Sequence, residues 1–419
     1  MTTTVDIPTD LITPLGAYLR LRELGCASFL LESVERGRLG RHSFVGAGSR
    51  LVELDEAERL ASRSDASSQP VVGYVAYDHV ARLEPTVALP PEGPDLPETR
   101  FVVADVLVRF DHARGVAEVL AGDAGEVGAA LGSAVPAPAM TGARHRTGPV
   151  QRCPDQATYE RSVEAAKEHI RRGDAFQIVL SQRAERPTSA SALALYRALR
   201  RVNPSPYLFL LELDGLALVG SSPETLVKVD RTRATVNPIA GTAARGDGDV
   251  ERLLASEKDR AEHVMLVDLG RNDLSRVCRA GTVRVERYLE PERFSHVTHL
   301  VSEVAGEVAG GVAPFDVLRA CFPAGTVSGA PKVRAMQIIS ELEGYRRGPY
   351  AGAVGYALPQ LGALDTCIAI RTIVLADGVA RLQAGAGIVA ASDPAAEHEE
   401  CLNKLAALEA AIDLAEATP

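Results

Sequence analysis

The stretch Tyr207–Gly220, YLFLLELDGLALVG, decides the fold class of this 419-residue chain. Its two apolar runs, YLFLLEL and LALVG, flank Asp214-Gly215, and an Asp-Gly pair between β-like runs is a strong signal for a tight hairpin turn. Two later runs, ALDTCIAIRTIVL and ARLQAGAGIV, have the pattern of strands and are joined in the same way by Asp377-Gly378. Because hairpins dominate over strict strand-helix-strand alternation, we predict an α+β fold with largely antiparallel sheets.

Helical patterns alternate with these runs. Asp155 can cap a helix that ends near Gly173, since an aspartate side chain accepts hydrogen bonds from the free N–H groups of a first turn. Longer helical patterns cover about 248–278, 330–344 and 394–416.

A small, polar and proline-containing stretch interrupts the chain at about 137–150, where the composition is typical of a linker. We therefore predict three parts: an amino-terminal region at 1–136, a linker at 137–150 and a larger domain at 151–419. No internal repeat is found along the chain.

Composition excludes several classes of function. The formal net charge is −10 and no lysine- or arginine-dense run occurs, which argues against nonspecific nucleic-acid binding. No apolar run reaches the roughly 18 residues of a spanning helix and the start lacks the pattern of a signal peptide, so we expect a cytoplasmic protein without a membrane segment. The six cysteines show no C-x-x-C spacing, which suggests neither a zinc site nor a disulfide framework.

Two acidic pairs stand in helical segments. Asp259 and Glu262 are three residues apart, as are Glu397 and Glu400, and this spacing presents both carboxylates on one helix face. A single pair of this kind is usually a solvated acidic stripe. Two such helices facing each other would instead bring together the oxygen ligands that Mg²⁺ prefers, and Lys404 follows one turn after the second pair.

Two further patterns carry possible chemistry. His296 and His299 form an H-x-x-H pair, but no additional ligand lies at zinc spacing, so a role as proton acceptor is the better interpretation. The glycine-rich stretches FPAGTVSGAPK, at 322–332, and QAGAGIV, at 383–389, can offer backbone N–H groups to an anion. Neither has the spacing of a Walker loop or of a dinucleotide fingerprint.

A series of motifs runs in order from about residue 12 to the end of the chain. The motifs are LLES, NPSPY, GSSPE, PIAGT, AEHVMLVDLGRNDL, SHVTHLVS, FPAGTVSGAPKVRAM, GPYAGAVGY, DTCIAIRT, QAGAGIV and E-x-x-E-x-x-N-K. Together they resemble the chorismate-utilising enzymes, most closely the large subunits of anthranilate synthase. The resemblance implies a chorismate-binding body whose sheets are sandwiched and flanked by helices, with the amino-terminal region completing it.

The same resemblance implies a Mg²⁺ site. Glu262 and Glu400 would be direct ligands, with Glu397 and Asp259 in the outer shell. The usual family residue at position 259 looks like glutamate, so the shorter aspartate is the least typical member of this set.

The resemblance also assigns the binding of chorismate, which carries two carboxylates. The candidates for one carboxylate are Lys404 with the backbone around Gly325 and Thr326. The candidates for the enolpyruvyl carboxylate are Tyr350, Arg371, Gly385, Ala386 and Gly387.

Three catalytic candidates follow from the resemblance. Glu224 would protonate the departing 4-hydroxyl as ammonia adds at C2, and His299 would then help to remove the C2 proton as pyruvate leaves. Thr242, in the Gly-Thr turn of PIAGT, offers a hydroxyl to the same site.

Two positions discriminate between members of the family. Aminodeoxychorismate synthases resemble PIKGT where this chain has Ala240, and alanine has no nucleophile to attack chorismate. Isochorismate and salicylate synthases resemble the stretch around Gln177 with a lysine base that activates water, which an amide cannot replace. Ammonia is therefore the expected reactant. A 2-amino-2-deoxyisochorismate synthase, an aminodeoxychorismate synthase and a non-catalytic binding paralogue remain as alternatives.

The resemblance finally implies partners and regulation. The sequence has no amidotransferase-like half, so glutamine hydrolysis is expected from a separate amidotransferase subunit, anthranilate synthase component II, in a heterotetramer. LLES and NPSPY resemble a tryptophan feedback pocket. Its candidate residues are Glu32, Ser33, Asn203, Pro206 and Tyr207.

Overall fold

The protein is described here by a computed structural model. It describes residues 6–33, 41–62, 68–135, 148–246, 248–293 and 297–417. Within these ranges the side chains of six residues are outside the description: Ala240, Thr242, Ala244, Lys258, Asp259 and Val297.

The described ranges contain eleven α-helices. They are α1 (Pro14–Leu21), α2 (Leu54–Ala61), α3 (Val80–Leu83), α4 (Ala124–Gly132), α5 (Gln156–Arg171), α6 (Ala192–Val202), α7 (Asp249–Ala255), α8 (Glu257–Ser275), α9 (Pro314–Cys321), α10 (Lys332–Glu343) and α11 (Pro394–Ala417). None of them, so far as the chain is described, combines the length and the apolar content needed to cross a bilayer.

The strands of the same ranges are, in chain order, β1 (Asp6–Pro8), β2 (Ala27–Glu32), β3 (His42–Gly48), β4 (Arg50–Val52), β5 (Val71–Val75), β6 (Thr99–Val103), β7 (Val106–Asp111), β8 (Val116–Ala121), β9 (Gln151–Cys153), β10 (Gln177–Pro187), β11 (Tyr207–Leu213), β12 (Leu216–Ser222), β13 (Thr225–Asp230), β14 (Arg233–Val236), β15 (Ile239–Ala244), β16 (Arg284–Arg293), β17 (Val297–Glu307), β18 (Gly329–Ala330), β19 (Ala353–Leu358), β20 (Ala363–Ile368), β21 (Thr372–Ala376) and β22 (Val379–Ile388).

These strands form two antiparallel sheets. The first has the order β1-β8-β7-β3-β2-β11-β12-β21-β22-β10-β18, with β9 beside β10. The second has the order β15-β17-β14-β13-β20-β19-β5-β6-β4, with β16 beside β17. Apolar side chains fill the space between the sheets, while α1, α6 and α11 cover the outer face of the first sheet. The predicted α+β class with largely antiparallel sheets is confirmed.

The hairpins that decided this class are present. β11 pairs with β12 around Asp214 and Gly215, whose φ angles are 51° and 81°. β21 pairs with β22 around Asp377 and Gly378, with φ angles of 52° and 71°. Positive φ at both central residues is the requirement of the tight turn that matches strand twist, and Asp-Gly meets it at low cost.

The helix predictions are confirmed in part. Asp155 caps α5 by accepting a hydrogen bond from the N–H of Thr158 at 2.8 Å. The predicted helices at 330–344 and 394–416 correspond to α10 and α11. The single helix predicted for 248–278 is instead two helices, α7 and α8, because Ser256 between them has an extended conformation with ψ of 107°.

The predicted domain boundary does not divide the sheets. β2 pairs with β11 in the first sheet, and β5 pairs with β19 in the second, so residues before position 136 supply strands to both. Most of the predicted 137–150 linker lies outside the described residues.

Several strand connections pass from one sheet to the other, and two of them carry candidate site residues. The chain leaves β12 in the first sheet and enters β13 in the second through Pro223 and Glu224. It returns from β20 to β21 through residues 369–371, so the run ALDTCIAIRTIVL is two strands rather than the single strand predicted. Arg371 has φ of 52°, a left-handed conformation that ends the extended run.

These two crossovers lie side by side. The N–H of Ile368 donates to the carbonyl oxygen of Glu224 at 3.0 Å, and the N–H of Ser221 donates to that of Arg371, also at 3.0 Å. The backbone of each crossover is therefore fixed by the other.

A substitution at Gly220, in the strand β12 that leads into the first crossover, tests how tightly this part of the core is packed. A Cβ at this position would lie 2.0 Å from the Cζ atom of Phe209, whose ring is buried between the sheets. Gly220→Ala is expected to lower the free energy of unfolding by about 2 kcal/mol, since overfilled cores typically lose about 1–3 kcal/mol. The measurement is urea denaturation.

Gly128→Ala is the matched control, because no atom lies within 4 Å of the Cβ that it would add on α4. This variant is expected to be as stable as the wild type or slightly more stable, since alanine favours helix over glycine. Equal stabilities of the two variants would contradict the packing argument.

Candidate active site

Glu224 occupies the first crossover and is 7% exposed. Burial raises the pKa of its carboxyl from 4.5 to about 8, and this rise exceeds the lowering by the Thr326 hydroxyl, the backbone N–H of Ile239 and the charge of Lys404. The carboxyl therefore keeps its proton at neutral pH. A buried, protonated carboxyl in a cavity is suited to donate a proton to a bound molecule.

A short 3₁₀ turn, Gly325–Val327, brings Thr326 to this carboxyl. A Cβ on Gly325 would lie 1.8 Å from the Cδ2 atom of Leu269, so only glycine lets the turn pack so closely on α8. The Oγ1 atom of Thr326 is buried and interacts with the Glu224 carboxyl, although the contact does not reach full hydrogen-bond geometry in the described part of the chain.

His299 lies on β17, and its Nδ1 atom is 3.0 Å from the carbonyl oxygen of Gly241. A carbonyl can only accept, so Nδ1 carries the hydrogen and the lone pair is on Nε2. Burial lowers the pKa of the imidazole, an effect that the Gly241 carbonyl opposes and that the charge of Arg371 reinforces. The ring is therefore neutral near pH 7 and can accept a proton.

Arg371 occupies the second crossover. Burial lowers the pKa of its guanidinium, while Tyr350 and Glu400 act in the opposite direction. In the described part of the chain the guanidinium makes no hydrogen bond or ion pair. A partly buried guanidinium in this state is suited to a bidentate contact with the carboxylate of a small molecule.

The glycines of β22 bring the backbone close to these groups. A Cβ on Gly385 would lie 2.8 Å from the hydroxyl oxygen of Tyr350, and one on Gly387 would lie 2.6 Å from Nε2 of Gln177. Burial raises the pKa of Tyr350, so its hydroxyl remains a neutral donor. Ala386 faces the other side and packs in the core with Ile178, so only its backbone is available to a ligand.

Lys404 and Glu400 lie beside the same strand. The Nζ atom of Lys404 donates to the carbonyl oxygen of Gly385 at 2.7 Å and to Oε1 of Glu400 at 2.6 Å. On the neighbouring helix α8, Glu262 accepts a hydrogen bond from Nε2 of Gln177 at 2.9 Å. Both carboxylates are thus tied to side chains that contact the glycine strand.

The predicted metal ligands are not gathered into a closed cluster. Within the described ranges no group of three or more histidine, cysteine, aspartate or glutamate side chains is arranged to hold a metal ion. Glu397 is buried on α11. The carboxylates of Glu262 and Glu400, each held by a side chain next to the glycine strand, nevertheless fit Mg²⁺, which is commonly bound by one or two carboxylates together with waters and substrate oxygens. The magnesium site stays a prediction.

Some predicted residues cannot be placed. The side chains of Thr242 and Asp259 and the whole of His296 lie outside the described residues. The backbone of Thr242 pairs with His299 in the β15–β17 ladder, so that residue belongs to the strand next to the imidazole.

A second cavity lies between the two sheets, and most of the predicted effector residues line it. Glu32, Ser33, Pro206 and Tyr207 line it, whereas Asn203 does not. The Asn203 carbonyl accepts from the hydroxyl of Ser221 instead.

Glu32 and Ser33, two polar residues of this cavity's wall, differ in their hydrogen-bond partners. The Glu32 carboxylate accepts hydrogen bonds from the hydroxyl of Tyr196 and from Arg200. The hydroxyl oxygen of Ser33 is buried without a partner among the residues that can be described.

Asp365 and Lys228 are among the charged residues of this cavity that the sequence reasoning missed. Asp365 accepts a hydrogen bond from the Tyr207 hydroxyl at 3.1 Å, and the Nζ atom of Lys228 is 3.6 Å from its carboxylate. The one available signal for Lys228 was the scarcity of lysine in an arginine-rich chain. The available signal for Asp365 was an acidic residue inside a mainly apolar strand.

Comparisons with known proteins identify the family of this chain. Residues 28–410 match the family described as chorismate binding enzyme. The chain is 45% identical to anthranilate synthase component 1 of Thermus thermophilus, over 97% of both chains. It is 46% identical to anthranilate synthase component 1 of Streptomyces coelicolor, over 97% of this chain and 88% of the other.

Two solved structures are similar. The crystal structure of anthranilate synthase component I from Streptococcus pneumoniae has a TM-score of 0.79 and 33% identity, covering 96% of this chain and 99% of the other. The menaquinone-specific isochorismate synthase of Escherichia coli has a TM-score of 0.77 and 25% identity, covering 98% and 94%.

The protonated state of Glu224 can be tested through stability. Its folded pKa of about 8 lies above the ordinary 4.5, so between these values the unfolded chain releases a proton that the folded chain keeps. The destabilising contribution is absent below pH 4.5, grows as the pH rises and is complete above pH 8. Each pH unit in this window costs about 1.4 kcal/mol.

Glu224→Gln removes this dependence because the amide does not ionise. Its free energy of unfolding minus that of the wild type is expected to increase by a few kcal/mol from pH 5 to pH 8. Urea denaturation at both pH values measures it, and a constant difference would show that Glu224 ionises normally in the folded protein.

Proposed function

The chain belongs to the chorismate binding enzymes, within them to the anthranilate synthases of the component 1 type, and we propose that it converts chorismate and ammonia into anthranilate and pyruvate with Mg²⁺ as cofactor. The observation that carries the proposal is that a protonated Glu224 and a neutral His299 are both associated with Arg371. Glu224 lies on the crossover beside that of Arg371, and the charge of Arg371 acts on the His299 imidazole. The reaction requires one proton donor and one proton acceptor near neutral pH, and these two residues have those states.

The first half-reaction uses Glu224. Ammonia adds at C2 of chorismate, both ring double bonds shift by one position toward C4, and the 4-hydroxyl leaves as water with the proton of the Glu224 carboxyl. The resulting carboxylate is stabilised by the backbone N–H of Ile239 and by the charge of Lys404. Burial makes Glu224 a proton donor at the pH where a normal glutamate would already be ionised.

The second half-reaction uses His299. Its Nε2 lone pair removes the C2 proton while the bond between C3 and the enolpyruvyl oxygen breaks, so that the ring becomes aromatic and pyruvate leaves after protonation of its enol carbon. The hydrogen bond from Nδ1 to the Gly241 carbonyl holds the ring in the tautomer that accepts at Nε2 and stabilises the imidazolium that forms.

The two carboxylates of chorismate would be held at opposite sides of the pocket. Arg371 and the neutral hydroxyl of Tyr350 are the donors proposed for the enolpyruvyl carboxylate. Lys404 and the turn at Gly325–Val327 are those proposed for the ring carboxylate. Glu262 and Glu400 would hold Mg²⁺, which when bound would neutralise the ring carboxylate.

Two residues support amination rather than a related chemistry. Ala240 has no side-chain nucleophile for a covalent intermediate. Gln177 has an amide, which cannot act as a base toward water, and its Nε2 atom donates to Glu262. Ammonia, already a nucleophile, needs no such base.

We propose that ammonia is supplied by a glutamine amidotransferase subunit, anthranilate synthase component II, in a heterotetramer. Support comes from the relatives, which are named component 1. A complementary support is that the motifs of this chain account for chorismate chemistry alone.

We also propose that tryptophan binds the cavity between the sheets and inhibits the enzyme. A free amino acid requires an acceptor for its ammonium group and a donor for its carboxylate. Glu32 and Asp365 offer the first, Lys228 and the Ser33 hydroxyl offer the second, and Tyr207 is among the apolar walls that would contact an indole.

The proposed reaction is tested with the purified chain, chorismate, MgCl₂ and an ammonium salt. We expect a blue-fluorescent product with the mass of anthranilate, and we expect kcat/KM to decrease as the pH rises above about 8, where Glu224 loses its proton. Glu400→Ala is expected to reduce activity by at least 100-fold, because it removes a proposed metal ligand.

Glu409→Ala on the same helix is the control. Its carboxylate pairs with Arg152 at the surface at 2.6 Å, and loss of such a pair has little effect. A non-aromatic amino product would assign the chain to the amination that stops before pyruvate is lost, and the absence of chorismate consumption would favour a binding paralogue.

Tryptophan binding is tested by isothermal titration calorimetry. Ser33→Ala removes a buried hydroxyl that has no protein partner where the chain is described, so we expect about a tenfold weaker affinity and unchanged uninhibited activity. Ser162→Ala, whose hydroxyl bonds to Thr158 within α5, should bind tryptophan as the wild type does. Without binding heat in the wild-type protein, the effector proposal would be withdrawn.

A further inference from the structure

Arg347 follows α10 and its side chain is 1% exposed, so its charge must be balanced by groups of the protein. Its guanidinium makes four hydrogen bonds. Nε and Nη2 donate to the two carboxylate oxygens of Glu343 at 2.9 and 2.6 Å. Nη1 donates to the carbonyl oxygen of Val327 at 2.8 Å, and Nη2 donates to that of Val179 at 2.7 Å.

Glu343 continues this network into the first sheet. Its Oε1 atom accepts from both the N–H and the hydroxyl of Ser181, each at 2.8 Å. The Ser181 hydroxyl in turn accepts from Nε2 of Gln383 on β22 at 2.8 Å. The buried charge of Arg347 is therefore paired, and the pair is fixed to two neighbouring strands.

The carbonyl contacts of Arg347 reach two parts of the candidate active site. Val327 is the last residue of the turn that carries Thr326. Val179 on β10 is the register partner of Gly387 on β22. One guanidinium thus sets the distance between the turn and the glycine strand.

A third part of the site is also in contact with this group. The central carbon of the guanidinium is 5.7 Å from the ring centroid of Tyr350 and 4.6 Å from that of Tyr77. A cation over an aromatic face is attractive, and more so where water is excluded. The orientation of Tyr350 therefore depends on Arg347 as well.

The amino-terminal region holds the backbone of this segment. The carboxylate of Asp78 accepts hydrogen bonds from the N–H groups of Arg347 and Gly348, both at 3.1 Å. Arg347 is thus held both through its backbone and through its guanidinium.

We propose that Arg347 is a positioning residue for the chorismate reaction: it fixes the Gly325–Val327 turn against β10 and β22 so that Thr326 stays beside Glu224. The proposal rests on the proposed function. Lysine keeps the charge but has a single ammonium in place of a planar fork, so it cannot bond both carbonyls and both oxygens of Glu343 together.

The surroundings of Glu224 define what the test must detect. Thr326 and the N–H of Ile239 lower its pKa, as does Lys404 from α11. Asp273 of α8, paired with Lys332, and Cys321 of α9 line the same cavity. Of these groups, only Thr326 lies on the turn that Arg347 holds.

Arg347→Lys is therefore expected to reduce kcat by about 100-fold, the order of magnitude for a displacement of about 1 Å at a catalytic group. It should also move the alkaline limb of the kcat/KM profile upward by roughly 0.5 to 1 pH unit, because Thr326 no longer lowers the pKa of Glu224. Activity is measured against pH for samples whose folded fraction is set equal by circular dichroism.

Arg183→Lys is the matched control. Arg183 lies on β10 and stacks on the ring of Tyr345 at 3.3 Å, outside the contacts of the Gly325–Val327 turn. It should leave the pH profile in place. Thr326→Val should give the same upward movement as Arg347→Lys, and the double variant should move no further, since both act on one contact.

An Arg347→Lys protein with the wild-type pH profile, or with shifts that add to those of Thr326→Val, would overturn the proposal. If that variant does not fold, Ser181→Ala replaces it, because it removes one hydroxyl donor to Glu343 and should move the limb in the same direction by less. An unmoved limb then counts against the proposal. A wild-type chain that forms no anthranilate would instead refute the proposed function. That outcome is distinct from failure of the positioning proposal, which is judged from the variants.

Discussion

The hydrogen bonds between the two crossovers are the constraint on which the rest of this structure depends. Glu224 and Arg371 each lie where the chain passes from one sheet to the other, and the carbonyl oxygen of each accepts an N–H from the segment beside the other. Their side chains are consequently fixed at the junction of the sheets. The buried environment there raises the pKa of Glu224, and the arginine next to His299 helps to keep that imidazole neutral.

The electrostatics of the pocket differ from those of the whole chain. The formal net charge is −10, yet Arg371 and Lys404 present positive charge beside a protonated Glu224. Net charge describes the exterior and its long-range field, whereas the affinity of a pocket for an anion depends on the groups that face it. The acidic composition therefore excludes nucleic acid more readily than it excludes a small dicarboxylate.

Local sequence signals were sufficient for the hairpins, and they failed where distant segments meet. The roles of the candidate site residues came from the family resemblance and stay predictions. The Asp-Gly pairs specify positive φ at adjacent positions, so Asp214-Gly215 was readable without any tertiary contact. The boundary at 137–150 was inferred from composition, which carries no information on which strands pair. The ion pair of Arg347 with Glu343 escaped notice because its other partners, Val327 and Val179, are distant in sequence.

A hydrogen bond joins the first crossover to the cavity between the sheets. The hydroxyl of Tyr207, which lines that cavity, lies 2.8 Å from Oγ1 of Thr225, the residue after Glu224. An inherited substitution at either residue would change this bond and with it the support of both segments. The segment that carries Glu224 and this part of the cavity wall are therefore constrained to evolve together.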